Sequence, residues 1–407
     1  MKAPDAVLIA ARNEAGRIGA TVERLRATFP GTAVIVADDG SSDPTACEAE
    51  AAGAVVLRLP RRGKGEALSA AERVAPPGRL LLCDADVEGE LGPLLESNAD
   101  LAIAAFAERQ GGGFGIARRA GRLVVRALSG FQAREPLSGQ RAYSPAARAA
   151  AFPLAPRFGC EVRGTIDVAR AGLRVEEVEL ALTHRATSRD LDGFLHRGRQ
   201  LVDLLVGAGP LAVNYRGRRL PLVGWLFAFG PRPAVAAVAL VGLADDLWSG
   251  PERGFRAHVA AGRTTGVVKL LAIPAIGLLT TRRLSGALLV GLSANALNQL
   301  DTRPGRALKA FLLAALVLRA ESRRYAKAAV LLLPYDLREM TMLGDAGANA
   351  LGALLGLSSV DRLTGRGRIA AITLLAGLTL VGERRSLGAL IERTPLLREL
   401  DHLGREP

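Results

Sequence analysis

Near residue 205 this 407-residue chain changes character, and its two parts call for different folds. Ahead of that point, acidic clusters follow apolar runs of strand character. Beyond it the sequence is rich in Leu, Ala and Gly, with basic residues gathered between apolar runs. Either part is long enough to bury a core of its own, so two domains are expected, 1–205 and 206–407.

In the first part, Asp38-Asp39-Gly40-Ser41-Ser42-Asp43 follows the run 32–37, and Asp84-Ala85-Asp86 follows the run 79–83. Carboxylates so placed emerge at the carboxyl end of a sheet, where open α/β folds bind ligands. One such cluster alone reads as a solvated turn. Two of them suit a nucleotide-sugar site, because a diphosphate needs a divalent cation to offset its charge, and Mg²⁺ or Mn²⁺ takes oxygen ligands of this kind. If the segment stays extended, Asp84 and Asp86 point the same way and reach one metal; the plain alternative is a strand end with two solvated aspartates.

These clusters belong to a longer series: Ile9-Ala10-Ala11-Arg12-Asn13-Glu14, the Asp38–Asp43 cluster, Arg62-Gly63-Lys64-Gly65, Asp84-Ala85-Asp86 and Glu135-Pro136-Leu137-Ser138-Gly139. In that order, residues 5–200 resemble a family 2 glycosyltransferase of the GT-A fold, an α/β architecture with a Rossmann-like mixed sheet and flanking helices. The type is that of dolichol-phosphate mannose synthase and the polyprenyl-phosphate glycosyltransferases. The resemblance implies that Ala11, Asn13, Glu14 and Asp39 hold the nucleoside, and that Asp84 and Asp86 contact metal and diphosphate. Lys64, between two glycines, is readable as a phosphate contact or as a solvated basic turn. Glu135 stands where the family commonly has Asp.

The role of Glu135 depends on the acceptor. A lipid phosphate is already ionised near neutral pH and attacks the anomeric carbon without a dedicated base, leaving Glu135 to orient groups; a hydroxyl acceptor needs a base, and Glu135 is the candidate. By the resemblance, either route inverts the anomeric centre by direct displacement. Further on, His184 is a candidate third metal ligand or diphosphate contact. Arg185 and Arg189 are candidate phosphate contacts, since a guanidinium forks onto phosphate oxygens.

The second part holds uncharged stretches at 220–231, 233–244, 270–281, 284–300, 346–360 and 369–382. None reaches the roughly 18 to 20 residues of an unambiguous membrane helix, but several become long enough if Arg232 or Lys269 snorkels or faces a cavity. A soluble helical bundle is the competing reading. Four motifs favour the membrane: 214–221, Gly242-Leu243-Ala244-Asp245-Asp246, Asn295–Asp301 and Met342-Leu343-Gly344-Asp345-Ala346-Gly347-Ala348. They resemble, in order, the polyprenyl-phosphate sugar-1-phosphate transferases, the family of phospho-N-acetylmuramoyl-pentapeptide transferase. That resemblance implies a Mg²⁺ and lipid-phosphate site at Asp245, Asp246, Asn298, Asp301 and Asp345. The chain departs from it at Asp301-Thr302-Arg303-Pro304-Gly305, which lacks a second carboxylate and inserts a cation. The expectation is an all-α, multi-span membrane domain, a reduced relative serving as a lipid-phosphate-binding platform.

Lys and Arg number 53 against 40 Asp and Glu, a formal +13, which fits lipid headgroups and nucleotide diphosphates as partners. With 4% aromatic residues and no nucleic-acid motif, nucleic acid is not an expected partner. Cys47, Cys83 and Cys160 have no paired spacing, and no signal-peptide pattern precedes the first strand. The chain is therefore expected at the cell membrane, multi-pass, with its first domain in the cytoplasm. The leading function is transfer of a sugar from a nucleotide donor to a polyprenyl phosphate or other lipid-linked acceptor. The alternatives are a bifunctional enzyme with sugar-1-phosphate transfer in the second half, and a non-catalytic membrane scaffold.

Overall fold

The structure, a computed structural model, describes residues 2–106, 115–182, 191–248, 265–318 and 323–405. The chain divides into two units, residues 1–211 with 217–219, and residues 212–216 with 220–407.

In the first unit, strands and helices alternate: β1 Ala6–Ala11, α1 Ile18–Thr28, β2 Ala33–Asp39, α2 Thr45–Ala51, β3 Val55–Leu59, α3 Lys64–Val74 and β4 Leu80–Asp84. Then come α4 Gly92–Glu96, β5 Leu101–Phe106, α5 Ile116–Ser129, β6 Arg141–Tyr143, α6 Pro145–Ala151, α7 Cys160–Arg170, β7 Val175–Leu180 and α8 Leu191–Ala208. The seven strands form one sheet in the order β3-β2-β1-β4-β6-β5-β7. All neighbours are parallel except β6, which runs antiparallel to both β4 and β5.

Strands β1, β4 and β5 read as nearly unbroken apolar runs because helices cover both faces. Val7, Ile9, Val36 and Leu81 face one layer with Ile18, Val22 and Leu25 of α1. Their alternates Leu8, Ile35, Leu80 and Leu82 face the other, with Ala67, Leu68 and Ala71 of α3. The strand order reverses between β1 and β4, so a crevice opens at their carboxyl ends, the position where such sheets take ligands.

The second unit is helical: α9 Pro233–Trp248, α10 Thr265–Thr281, α11 Leu284–Leu300, α12 Arg306–Val317, α13 Arg323–Leu337, α14 Gly344–Arg362, α15 Gly365–Arg384, α16 Leu387–Arg393 and α17 Pro395–His402. Its centre is α14, buried continuously from Ala346 to Val360. A Cβ on Gly352 or Gly356 would stand 2.5–2.6 Å from the backbone of Ala294 or Val290 on α11. These two glycines on one face of α14 let the helices cross almost backbone to backbone.

Among the described residues one helix, α15, is long and apolar enough to cross a membrane, and none of its residues is buried. The other apolar runs end sooner. Turns such as 301–305 cut them, and Lys269 interrupts another, its ammonium drawn to carboxylates.

Candidate active site

The crevice is built from strand ends whose loops are tied to one another. After β1, the amides of Asn13, Glu14 and Ala15 donate to Ser41 Oγ (3.0 Å), Thr45 Oγ1 (2.8 Å) and Asp43 Oδ2 (3.2 Å). Asn13 Oδ1 accepts from the Ser42 amide at 2.9 Å. Asn13 adopts φ 55, a left-handed conformation that asparagine tolerates better than most residues. The Thr45 hydroxyl, with the Thr45 and Ala15 amides, holds the Asp43 carboxyl below its ordinary range. The nucleoside candidates Ala11, Asn13, Glu14 and Asp39 are thereby brought to one rim.

Asp39 is 7% exposed, and its carboxylate accepts from the amides of Arg62 (2.6 Å) and Gly63 (2.9 and 3.0 Å). It fixes the turn that starts α3. Gly63 has φ 112, a conformation other residues rarely adopt, and this aims Lys64, the first residue of the helix, into the crevice.

The Lys64 ammonium lies 2.7 Å from Asp84 Oδ1 and 2.7 Å from Glu161 Oε1. Burial alone would lower its pKa, but the two carboxylates outweigh that and hold it well above the ordinary lysine range. Lys64 is therefore a charged member of the site rather than a solvated turn. Gln140 Nε2 donates to the other oxygen, Asp84 Oδ2, at 2.8 Å. Gly139 closes the group: a Cβ there would come within 2.5 Å of both Asp84 oxygens and 2.7 Å of Lys64 Nζ.

One sequence expectation changes here. Extension does not continue to Asp86, because β4 ends at Asp84 and a turn begins at Ala85, so the two carboxylates do not share a strand face. Among the described residues no group of three or more acidic, His or Cys side chains is placed to hold a metal. The third-ligand candidate His184 and the phosphate candidates Arg185 and Arg189 lie outside the described residues.

Glu135 is 17% exposed and accepts from Arg118 Nη1 of α5 at 2.9 Å. Its loop is fixed from both sides. The amides of Arg134 and Glu135 donate to the Glu177 carboxylate at 2.8–2.9 Å, and Arg141, 1% exposed, donates to the carbonyls of Pro136 (3.1 Å) and Ser138 (2.7 Å). Beside α3, Arg62, Glu66, Arg73, Pro153 and Arg218 help line a cavity of about 90 Å³. Burial raises Glu66 there to about 7.

In the second unit, Lys269 Nζ donates to Asp245 Oδ2 at 2.6 Å and also to Asp345. Asp246 accepts from the amides of Asp345 (3.0 Å) and Ala346 (2.9 Å) at the start of α14. Asp301 lies within electrostatic reach of Asp246, Asp336 and Asp345, and the Asn298 carbonyl accepts its amide at 3.1 Å. The four aspartates of this half are thus drawn together from distant positions, while Asn298 is tied only to Asp301 through the local turn. Asp301 also lines a cavity of about 40 Å³ with Asn214, Tyr215, Arg303, Asp336 and Glu339.

Sequence reasoning assigned no role to Arg118, Gln140, Glu161 or Glu177. Glu161 carried no usable signal beyond its place after Cys160, since a lone glutamate at a helix start reads as ordinary capping charge. Lys269, like Arg232, was legible as a cation interrupting an apolar run, though not as the partner of two aspartates.

Residues 6–126 match the family model of glycosyl transferase family 2. No curated protein matches the chain. Among solved structures, glucosyl-3-phosphoglycerate synthase from Mycobacterium tuberculosis in complex with phosphoglyceric acid is 27% identical, with a TM-score of 0.42, over 50% of this chain and 78% of that one. The same synthase with Mg²⁺ and uridine-diphosphate is 28% identical over 50% and 78%, TM-score 0.42. With Mn²⁺, uridine-diphosphate-glucose and phosphoglyceric acid it is 26% identical over 53% and 84%, TM-score 0.42. The match at 6–126 covers β1–β5 and, with them, Asp39, Lys64 and Asp84 of the crevice: those residues carry a glycosyl transferase family 2 domain on the α/β sheet, and the enzymatic class is glycosyltransferase.

Proposed function

We propose that the first unit transfers a sugar, with inversion, from a nucleotide sugar to a lipid phosphate, polyprenyl phosphate being the leading acceptor, at the cytoplasmic face of the cell membrane. The observation that carries the reading is the pairing of Glu135 with Arg118 at 2.9 Å. With its Oε1 engaged by that guanidinium, the Glu135 carboxylate is tied to α5 rather than left open to an acceptor hydroxyl, which favours an acceptor whose oxygen is already ionised. Glu135 then orients the acceptor side of the crevice instead of taking a proton.

The residues present fit a hard cation. Asp84 and Asp86 would supply carboxylate oxygens to it, the two Asp84 oxygens being the ones that Lys64 and Gln140 hold in this structure. Mg²⁺ or Mn²⁺ would offset the diphosphate charge and stabilise the leaving group. Lys64 neutralises phosphate oxygen from the other side, Gln140 keeps Asp84 aimed, and the loops carrying Ala11, Asn13, Glu14 and Asp39 receive the nucleoside. Arg185, Arg189 and His184 complete the proposed diphosphate contacts.

For the membrane, support comes from the second unit. Helix α15 has no buried residue, and Phe229, Leu279 and Val317 are 79%, 77% and 82% exposed. Apolar surface on this scale suits lipid better than water. The gathering of Asp245, Asp246, Asp301 and Asp345 near Lys269 favours a second reading, sugar-1-phosphate transfer in this half. One assay separates the two: purified protein with Mg²⁺ or Mn²⁺, nucleotide sugars, and both lipid-phosphate and soluble phosphorylated acceptors, with the released nucleotide identified. Nucleoside diphosphate, lost in Asp86→Ala and kept in Asp245→Ala, is the expected outcome. Nucleoside monophosphate with the reverse mutant pattern refutes it, and transfer to soluble acceptors alone removes the lipid.

A further inference from the structure

Helix α5 buries one face and leaves the other with a composition that water does not favour. Its inner side packs Gly121 and Val125 against Pro136, Leu204, Val162 and Ile166. Its outer side presents Ile116, Arg119, Leu123, Arg126 and Ala127, positions that fall on one helical face; Ile116 is 57% exposed and Leu123 is 69% exposed. Neither acidic residue nor lysine interrupts this face. Aliphatic side chains between arginines are the composition of helices that lie in a membrane interface, where the apolar groups enter the acyl boundary and the guanidinium groups meet lipid phosphate. On α8, which packs beside α5, Val202, Leu205 and Val206 are exposed as well.

We propose that the outer face of α5 is a docking surface for anionic lipid headgroups. It rests on the membrane reading above and adds to it the part of the catalytic unit that meets the bilayer. The same helix holds the acceptor loop from its inner side, since Arg118 Nη1 donates to Glu135 at 2.9 Å and Arg122 Nε donates to the Arg134 carbonyl at 2.8 Å. Seating α5 at the headgroup level therefore places residues 134–139 at the depth of a lipid phosphate.

The test uses full-length protein reconstituted in phosphatidylglycerol vesicles, with Cys47, the one exposed cysteine, replaced by Ser. An environment-sensitive dye is attached at Leu123→Cys and, for reference, at Val55→Cys on β3, where the native side chain is 55% exposed. Lipids bearing a nitroxide near the headgroup report contact by quenching. An arginine near an anionic surface strengthens partition about fivefold. The expected result is at least twofold quenching at position 123 with little at 55, and loss of most of it in Arg119→Glu/Arg126→Glu or in phosphatidylcholine vesicles. Equal quenching at both positions overturns the proposal. So does quenching indifferent to these charges, or blue-shifted emission at 123 without quenching, which would mark a protein partner. Because the readout needs neither donor nor acceptor, docking without sugar transfer to lipid refutes the functional reading alone, and transfer without docking refutes this surface alone.

Discussion

Replacing Lys64 by Met removes the only cation that the structure places between Asp84 and Glu161 among the described contacts, each 2.7 Å from its ammonium. At an effective dielectric of about 20, a unit-charge contact at that distance amounts to roughly 6 kcal/mol before desolvation. Desolvation of Lys64 opposes much of it, and Asp84 is 32% exposed while Glu161 is 6% exposed, so a net stability loss of about 3 kcal/mol is expected for the ligand-free protein. The same change leaves two carboxylates facing one another, which should strengthen Mn²⁺ binding without nucleotide by about tenfold, or about 1.4 kcal/mol. Sugar transfer should fall, because no ammonium is left for the diphosphate. Free Mn²⁺ counted by electron paramagnetic resonance, thermal unfolding and nucleotide release measure the three effects. A Lys64→Met protein with unaltered stability and unaltered Mn²⁺ affinity would refute the idea that Lys64 holds this carboxylate pair.

Gly139→Ala should abolish transfer while Mn²⁺-free folding persists, since a Cβ 2.5 Å from the Asp84 oxygens must displace either that side chain or the turn; retention of more than a tenth of the activity, on the order of a 1.4 kcal/mol effect, would contradict the close approach. Burial raises Glu66 from 4.5 to about 7, so the native state keeps a proton that the unfolded state has released, and stability falls as pH rises from about 4.5 through 7, by up to about 3 kcal/mol. In Glu66→Gln that slope should flatten, with slower hydrogen exchange in α3 at pH 8; an unchanged slope would assign the pH dependence to another group.

Much of the first unit was legible in local sequence because its signals are local. Strand runs ending in Asp39 and Asp84 reveal both the sheet and the end from which carboxylates emerge, and each glycine-rich turn lies within a few residues of the group it positions. What local pattern could not convey was pairing. Glu161 meets Lys64 across nearly a hundred residues, and Glu177 braces Glu135 from a strand at the far edge of the sheet. The expected shared face of Asp84 and Asp86 failed for a related reason: where a strand stops depends on its neighbour, and the ladder to β1 ends with Asp84 opposite Ala10.

In the second unit, sequence alone determined helical character, through long Leu, Ala and Gly runs, and it marked the polar positions within them as unusual. Only the tertiary structure decided that Lys269 turns toward Asp245 and Asp345, that Gly352 and Gly356 let α14 meet α11 almost backbone to backbone, and that α15 keeps no buried face. Hydrophobic periodicity is a property of one segment, whereas burial, ion pairing and exposure are properties of the neighbours that folding brings to it.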